Sequence, residues 1–163
     1  SRLVDQLLTL SRLDSLDNLD DVEPITLADL LQSAVLDIWH PAQQAGIDIR
    51  LNNHAPQVKR QGQPLLLSLL VRNLLDNAIR YSPRGSVVDV TLGARSFSVR
   101  DHGPGVDPEV LARIGERFYR PPGQNATGSG LGLSIVRRIA ALHGMHVSLS
   151  NAAEGGFEVK VSW

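Results

Sequence analysis

Residues 70–83, LVRNLLDNAIRYSP, constrain this chain more than any other stretch. Val71, Leu74, Leu75, Ala78 and Ile79 recur at helical spacing and define a face that must be buried. Asn73, Asn77 and Arg80 fall at i, i+4 and i+7, so two amides and a guanidinium share another face of the same helix. Asparagine is a poor helix former because its side chain competes with the backbone for hydrogen bonds. Two in mid-helix are either solvated or locally bonded surface residues, or a binding site maintained at a cost to the helix. Two glycine-rich stretches downstream bear on that choice.

The rest of the chain supplies a fold around this helix. Residues 1–16 read as an amphipathic helix with Leu3, Leu7 and Leu10 on one face, widened by Val4 and Leu8. The acidic segment 17–24, ending in proline, reads as a linker. A short strand around Ile25 is followed by Thr26 as N-cap of a helix from Leu27 to about Ala45, with Leu30, Leu31, Ala34 and Ile38 inward and Gly46 as its stop. Residues 47–51 alternate as a half-buried strand, and 58–60 are expected to pair with them. Gln63 or Pro64 opens the central helix, and Ser82-Pro83-Arg84-Gly85 ends it. Strands follow at 87–92 and 97–100, a short helix at 107–114, a helix at 131–142 ended by Gly144, and strands at 147–150 and 157–162. This order predicts an α/β two-layer sandwich: a mixed, largely antiparallel sheet of about five strands with helices on one face. A doubly wound parallel sheet is not expected, since strands and helices do not alternate.

Composition narrows the function. With 42% hydrophobic and 20% charged residues, the 163-residue chain buries a proper core. A net charge of −1 and 4% aromatics give no pull toward nucleic acid or an anionic membrane. The absence of cysteine excludes thiolate chemistry and disulfides. No apolar run reaches the roughly 18–20 residues of a membrane span, and no signal peptide opens the chain, so a piece making no direct membrane contact is expected.

Chemistry concentrates in two further motifs. Asp101 ends a strand and is followed by Gly103 and Gly105 in DHGPGV. Glycines there permit φ > 0 and close approach of a planar ligand, and the carboxylate can accept from an exocyclic amine such as that of adenine. Alone, this pattern is more often a tight turn. GSGLGLSIV opens a helix with Gly128, Gly130 and Gly132 at alternate positions, where helix N–H groups can bind an anion. It follows a long loop instead of a strand and lacks the dinucleotide-fold spacing, and no phosphate-binding P-loop occurs.

The order of these parts, NLLDNAIRYSP, DHGPGV, ERFYRP and GSGLGLSIV, resembles the four boxes of the sensor histidine kinase catalytic domain, in the ATPase superfamily shared with gyrase, Hsp90 and MutL. The resemblance covers about residues 24–163 and implies the Bergerat-type ATP-binding fold over residues 23–163. Residues 1–22 are then the end of the second helix of a dimerisation and phosphotransfer domain, with its linker. It further implies that Asn77 ligates Mg²⁺ on ATP, that Asn73 lies beside the nucleotide, and that Arg80 and Tyr81 stand near phosphate and adenine. Arg80 replaces the family's usual lysine, a planar fork in place of a point donor. Asp101 would read adenine in a pocket shaped by Gly103 and Gly105, Phe118 and Arg120 would belong to a lid, and Gly128, Ser129, Gly130, Leu131 and Gly132 would cradle phosphate.

The family's phosphoacceptor histidine motif is absent, and none of His40, His54, His102, His143 and His146 has its neighbours. The chain therefore reads as the ATP-binding half of an enzyme, and the resemblance implies that the parent is a homodimeric kinase of a bacterial inner membrane with this part on its cytoplasmic side. Its partners would be its own dimerisation domain and a response regulator. The alternative is an ATP-hydrolysing conformational module of the Hsp90, MutL or gyrase kind. Such ATPases need a water-activating glutamate near the metal asparagine, and none lies between Gly62 and Pro108.

Overall fold

The computed structural model describes residues 2–16, 19–105, 109, 113, 131–152 and 155–163. The expected short helix at 107–114 falls mostly outside these residues, as do Phe118, Arg120, Gly128, Ser129 and Gly130. The elements are α1 (Arg2–Asp14), β1 (Glu23–Thr26), α2 (Leu27–Gln44), β2 (Asp48–Asn53), β3 (Lys59–Gly62), α3 (Pro64–Tyr81), β4 (Val87–Leu92), β5 (Ser96–Arg100), α4 (Gly132–Leu142), β6 (His146–Asn151) and β7 (Phe157–Ser162).

Five strands form one sheet in the order β2-β4-β5-β7-β6. Only β2 and β4 pair in parallel; the other neighbours are antiparallel. Strand alternation makes this sheet one-sided: Val88, Val90 and Leu92 of β4 are buried while Val87, Asp89 and Thr91 are half-exposed. The inner face joins Leu31 of α2, Leu70 and Leu74 of α3 and Ile135 and Ile139 of α4 in one core. The expected sandwich, with a mixed sheet and helices against it, is what forms.

One local expectation gives way and two others are qualified. Residues 58–60 do not pair with β2; β3 instead pairs antiparallel with β1, Ile25 opposite Arg60, in a separate two-stranded sheet. β3 reads KRQG and buries only Gly62, so it has no apolar face to lay beside Ile49, whereas β4 brings a buried residue at every second position. Thr26 is the N-cap residue of α2, as expected, but makes no side-chain cap bond. The Leu27 N–H donates to the Val58 carbonyl instead (3.2 Å), so chain entering β3 satisfies that helix end.

The third is α1. Of its expected apolar face only Leu10 is buried, now together with Leu13, while Val4, Leu7 and Leu8 are exposed and the Leu3 side chain lies outside the described residues. The cause is on α4. Arg138 donates from Nε to the Leu13 carbonyl (3.2 Å) and from Nη2 to the Leu16 carbonyl (2.7 Å), capping the end of α1.

The central helix keeps its predicted limits. Pro64 stands in the first turn and Gln63 accepts at its side chain from the Leu66 N–H (2.8 Å). At the far end Ser82 donates to the Ala78 carbonyl (2.6 Å) before Pro83 stops the helix.

Candidate functional site

Helix α3 holds its two asparagines differently. Asn73 is buried, and its Nδ2 donates to the Leu69 carbonyl one turn back (2.9 Å). That bond fixes which way the amide oxygen is turned. A Cβ built on Gly132 would lie 3.5 Å from Oδ1 of Asn73 and 3.5 Å from Oδ1 of Asn77. The two amide oxygens therefore converge on the first residue of α4. Leu131, the N-cap residue, makes no side-chain cap bond, and no acidic residue occupies the first turn of α4, so the first turn itself carries no counter-charge to the positive helix end. Glycine at 132 keeps the gap between this helix end and the amides clear of a side chain.

Leu131 is fully buried and belongs to the core, so only its backbone can face a ligand. Arg80 and Tyr81 are half-buried in the last turn of α3.

Asp101 directly follows β5 and is 4% exposed. Its Oδ1 accepts from the N–H of Gly103 (2.9 Å) and of Phe157 (3.1 Å), and its own N–H donates to the Phe157 carbonyl (3.0 Å). Both of these side-chain bonds use one oxygen, so among the described residues Oδ2 has no partner and could accept from a ligand. Burial pushes the carboxyl above the ordinary value of 3.8; the Gly103 and Phe157 N–H groups and then the charges of His102 and Arg100 oppose that rise.

The glycines beside it serve two different needs. Gly105 has φ +77°, the left-handed region that glycine occupies freely. Gly103 does not; a Cβ there would meet the Tyr81 carbonyl at 2.9 Å, so it is close approach that excludes a side chain. That contact carries the end of α3 onto the Asp101 loop. α3 thus touches the α4 start through its asparagines and the Asp101 turn through Tyr81.

Gly156 was not singled out from sequence. A Cβ there would collide with the Asp101 carbonyl oxygen, and its φ is +94°. The Gly155-Gly156 pair before the last strand was a visible turn signal, but its contact with Asp101 joins residues far apart in the chain.

A divalent cation fits these donors. An amide oxygen is a hard ligand suited to Mg²⁺, which keeps waters and substrate oxygens and needs few protein ligands. Among the described residues no three His, Cys, Asp or Glu gather, so a cation on Asn77 would complete its shell from phosphate and water. No helix among the described residues is long and apolar enough to cross a membrane.

Comparison with known proteins places these features. The family described as histidine kinase-, DNA gyrase B-, and HSP90-like ATPase matches residues 62–163. The chain is 78% identical over 163 residues to the sensor protein QseC of Salmonella typhimurium, covering 100% of this chain and 36% of that protein. It thus spans about a third of the length of such curated relatives. The cytoplasmic segment of histidine kinase QseC superposes with a TM-score of 0.74 at 63% identity, over 99% of this chain and 90% of that one. Full-length ShkA in complex with AMPPNP superposes with a TM-score of 0.84 at 29% identity, over 98% of this chain and 34% of that one. With that match running from the end of β3 to the last residue, the chain belongs to the histidine kinase-, DNA gyrase B-, and HSP90-like ATPase family.

Proposed function

We propose that this chain is the ATP-binding catalytic part of a two-component sensor histidine kinase. It binds Mg·ATP and delivers the γ-phosphoryl group to a histidine on the dimerisation domain of the same protein, whence it passes to an aspartate of a response regulator, QseB-like by resemblance. Residues 1–22 are the end of the dimerisation helix and its linker, and 23–163 the catalytic region of a homodimeric inner-membrane kinase, on its cytoplasmic side. One observation carries this reading: α3 joins both glycine motifs, through Asn73 and Asn77 at Gly132 and through Tyr81 at Gly103. The likeness to full-length ShkA in complex with AMPPNP supports adenine nucleotide as the ligand.

Each side chain has a role that its environment suits. Asp101 Oδ2 accepts from the adenine 6-amino group, and the loop of Gly103 and Gly105 admits the ring. Asn73 and Asn77 turn amide oxygens toward the α4 N-terminus, whose N–H groups and dipole receive phosphate oxygens with Gly128, Ser129, Gly130, Leu131 and Gly132. Arg80 adds positive charge near the phosphates, Tyr81 borders the base, and Phe118 and Arg120 close over them as part of the lid. Mg²⁺ held by Asn77 supplies charge neutralisation on the phosphates. In the transfer the bond from the γ-phosphorus to the β–γ bridging oxygen breaks, a phosphorus–nitrogen bond to the acceptor imidazole forms, and ADP leaves.

Calorimetry with Mg·ATP on this chain and on Asn77→Ala and Asp101→Asn tests the site. Incubation with a separately made bundle bearing the acceptor histidine tests the reaction. Binding weakened by both substitutions, with acid-labile phosphate only when the bundle is present, is expected. Steady phosphate release without transfer would indicate the ATPase module instead, and no nucleotide binding would sink both readings.

A further inference from the structure

His102, next to the base-reading Asp101, makes a short bond outside the site just described. Its Nε2 lies 2.6 Å from Oδ2 of Asp89 on β4. Asp89 also faces Arg50 of β2, whose Nε is 3.8 Å from its Oδ1.

The sheet's register shows why this bond matters. β4 and β5 pair from Leu92↔Phe97 to Asp89↔Arg100, and there the ladder ends. The earlier residues of β4, Val87 and Val88, pair with Asp48 and Ile49 of β2. Beyond Arg100, then, the chain has lost its ladder partner on the β4 side, while on the β7 side two bonds join Asp101 to Phe157. Strand alternation puts His102 on the same outer face as Arg100 and Asp101 on the inner one. The His102–Asp89 bond supplies the missing cross-strand tie two residues past the ladder and keeps that alternation going through Asp101.

We propose that the His102–Asp89 bond is the brace that holds Asp101 facing inward, making His102 and Asp89 positioning residues for selection of the 6-amino group of the nucleotide base. The proposal rests on the reading of Asp101 as the adenine acceptor. Neither residue touches the ligand; each acts through the strand extension that bears Asp101.

The test compares Mg²⁺-dependent binding of ATP and of purine riboside triphosphate, which lacks the 6-amino group, to the 163-residue chain. The parent chain should prefer ATP, and Asp101→Asn should abolish the preference. His102→Ala and Asp89→Ala should each reduce it about tenfold, which corresponds to about 1.4 kcal/mol, while changing purine riboside triphosphate affinity less than about twofold. The double variant should lose no more than either single one. His102→Gln, which keeps a donor, should restore most of the preference. If His102→Ala does not fold, Asp89→Ala read in the same way carries the test.

Equal weakening of both nucleotides in a folded variant, or an unchanged preference, would overturn the brace alone. A parent chain with no preference for ATP would overturn the base-reading role of Asp101 and the brace with it.

Discussion

Two glycines separate architecture from chemistry at the residue scale. Gly156→Ala drives a methyl into the Asp101 carbonyl at a φ that favours glycine, and should cost more than about 3 kcal/mol of stability in denaturant titration. Gly132→Ala differs, because its Cβ finds only ordinary contacts, 3.5 Å from each asparagine oxygen. In a helix that change is neutral or stabilising by up to about 1 kcal/mol. The new methyl nevertheless fills the gap in front of both amides, so Mg·ATP affinity should fall at least about tenfold in a protein that melts no lower than its parent. Undiminished affinity would mean that the gap is not the phosphate site.

Asp101 adds a pH signature at the same scale. Burial raises its folded-state value above 3.8, so the folded chain binds that proton more tightly than the unfolded chain. This group's contribution to stability is therefore full below 3.8 and is lost as pH rises through the folded value. On the proposed role of Asp101 nucleotide binding should run the other way, since accepting from an amine needs the carboxylate, and affinity should fall as pH drops toward that raised value. The difference between parent and Asp101→Asn, followed by calorimetry over falling pH, isolates both trends. A difference that does not vary with pH above 3.8 would contradict the assignment. Sequence showed Asp101 and its glycines as a candidate but left their roles merged. That Gly105 needs its positive φ while Gly103 needs only the absence of a side chain depends on where Tyr81 ends α3, a contact between separate elements.

At the element scale, the asparagine helix and the glycine-rich helix are tied at their far ends by His143. Its Nδ1 donates to the Ile139 carbonyl (2.8 Å) on α4, and its Nε2 accepts from the Gln63 N–H (3.1 Å) at the start of α3. This arrangement needs the neutral ring, and burial holds the imidazole below its ordinary 6.5 against the opposing pull of the Ile139 carbonyl. The sign follows: the unfolded chain takes up the proton first, so this stability is fully present above 6.5 and is lost as pH falls toward the folded value. His143→Ala should cost about 1–3 kcal/mol near neutral pH, because it strands the Gln63 N–H, and the difference from the parent should shrink below 6.5. A pH-independent difference would show that the ring is not required neutral. The sequence placed His143 at a helix end, but its acceptor role was illegible because Gln63 lies 80 residues away. The pairing of β3 was hidden for a related reason. A strand reading KRQG carries no alternation to name its partner, whereas VVDVTL could be recognised at once.

Across the whole molecule, the question is how far the nucleotide site depends on α1. Leu10 and Leu13 are each 2% exposed and Arg138 caps the helix end, so α1 is part of the core. Burial of the two leucines contributes roughly 1.5–3 kcal/mol each, an upper estimate because an unfolded chain already hides some apolar surface. Against the roughly 5–15 kcal/mol of an ordinary domain, removing residues 1–18 should lower the melting temperature clearly without abolishing folding. The convergence of Asn73, Asn77, Gly132, Asp101 and Gly103 draws on α3, α4 and the end of β5; α1 adjoins it through Asp5, Gln6 and Thr9, which line a cavity with Asn73 among the described residues. The shortened chain should therefore bind Mg·ATP within about threefold of the parent's affinity, a difference below 1 kcal/mol by the usual conversion. On the proposed division at residue 22, delivery of phosphate to the acceptor histidine should suffer far more, because α1 would then be the segment through which the catalytic part meets the dimerisation domain. A shortened chain that folds but fails to bind nucleotide would show that α1, through Arg138, sets the position of α4 at the phosphate site. The division of binding from delivery drawn at residue 22 would then be wrong.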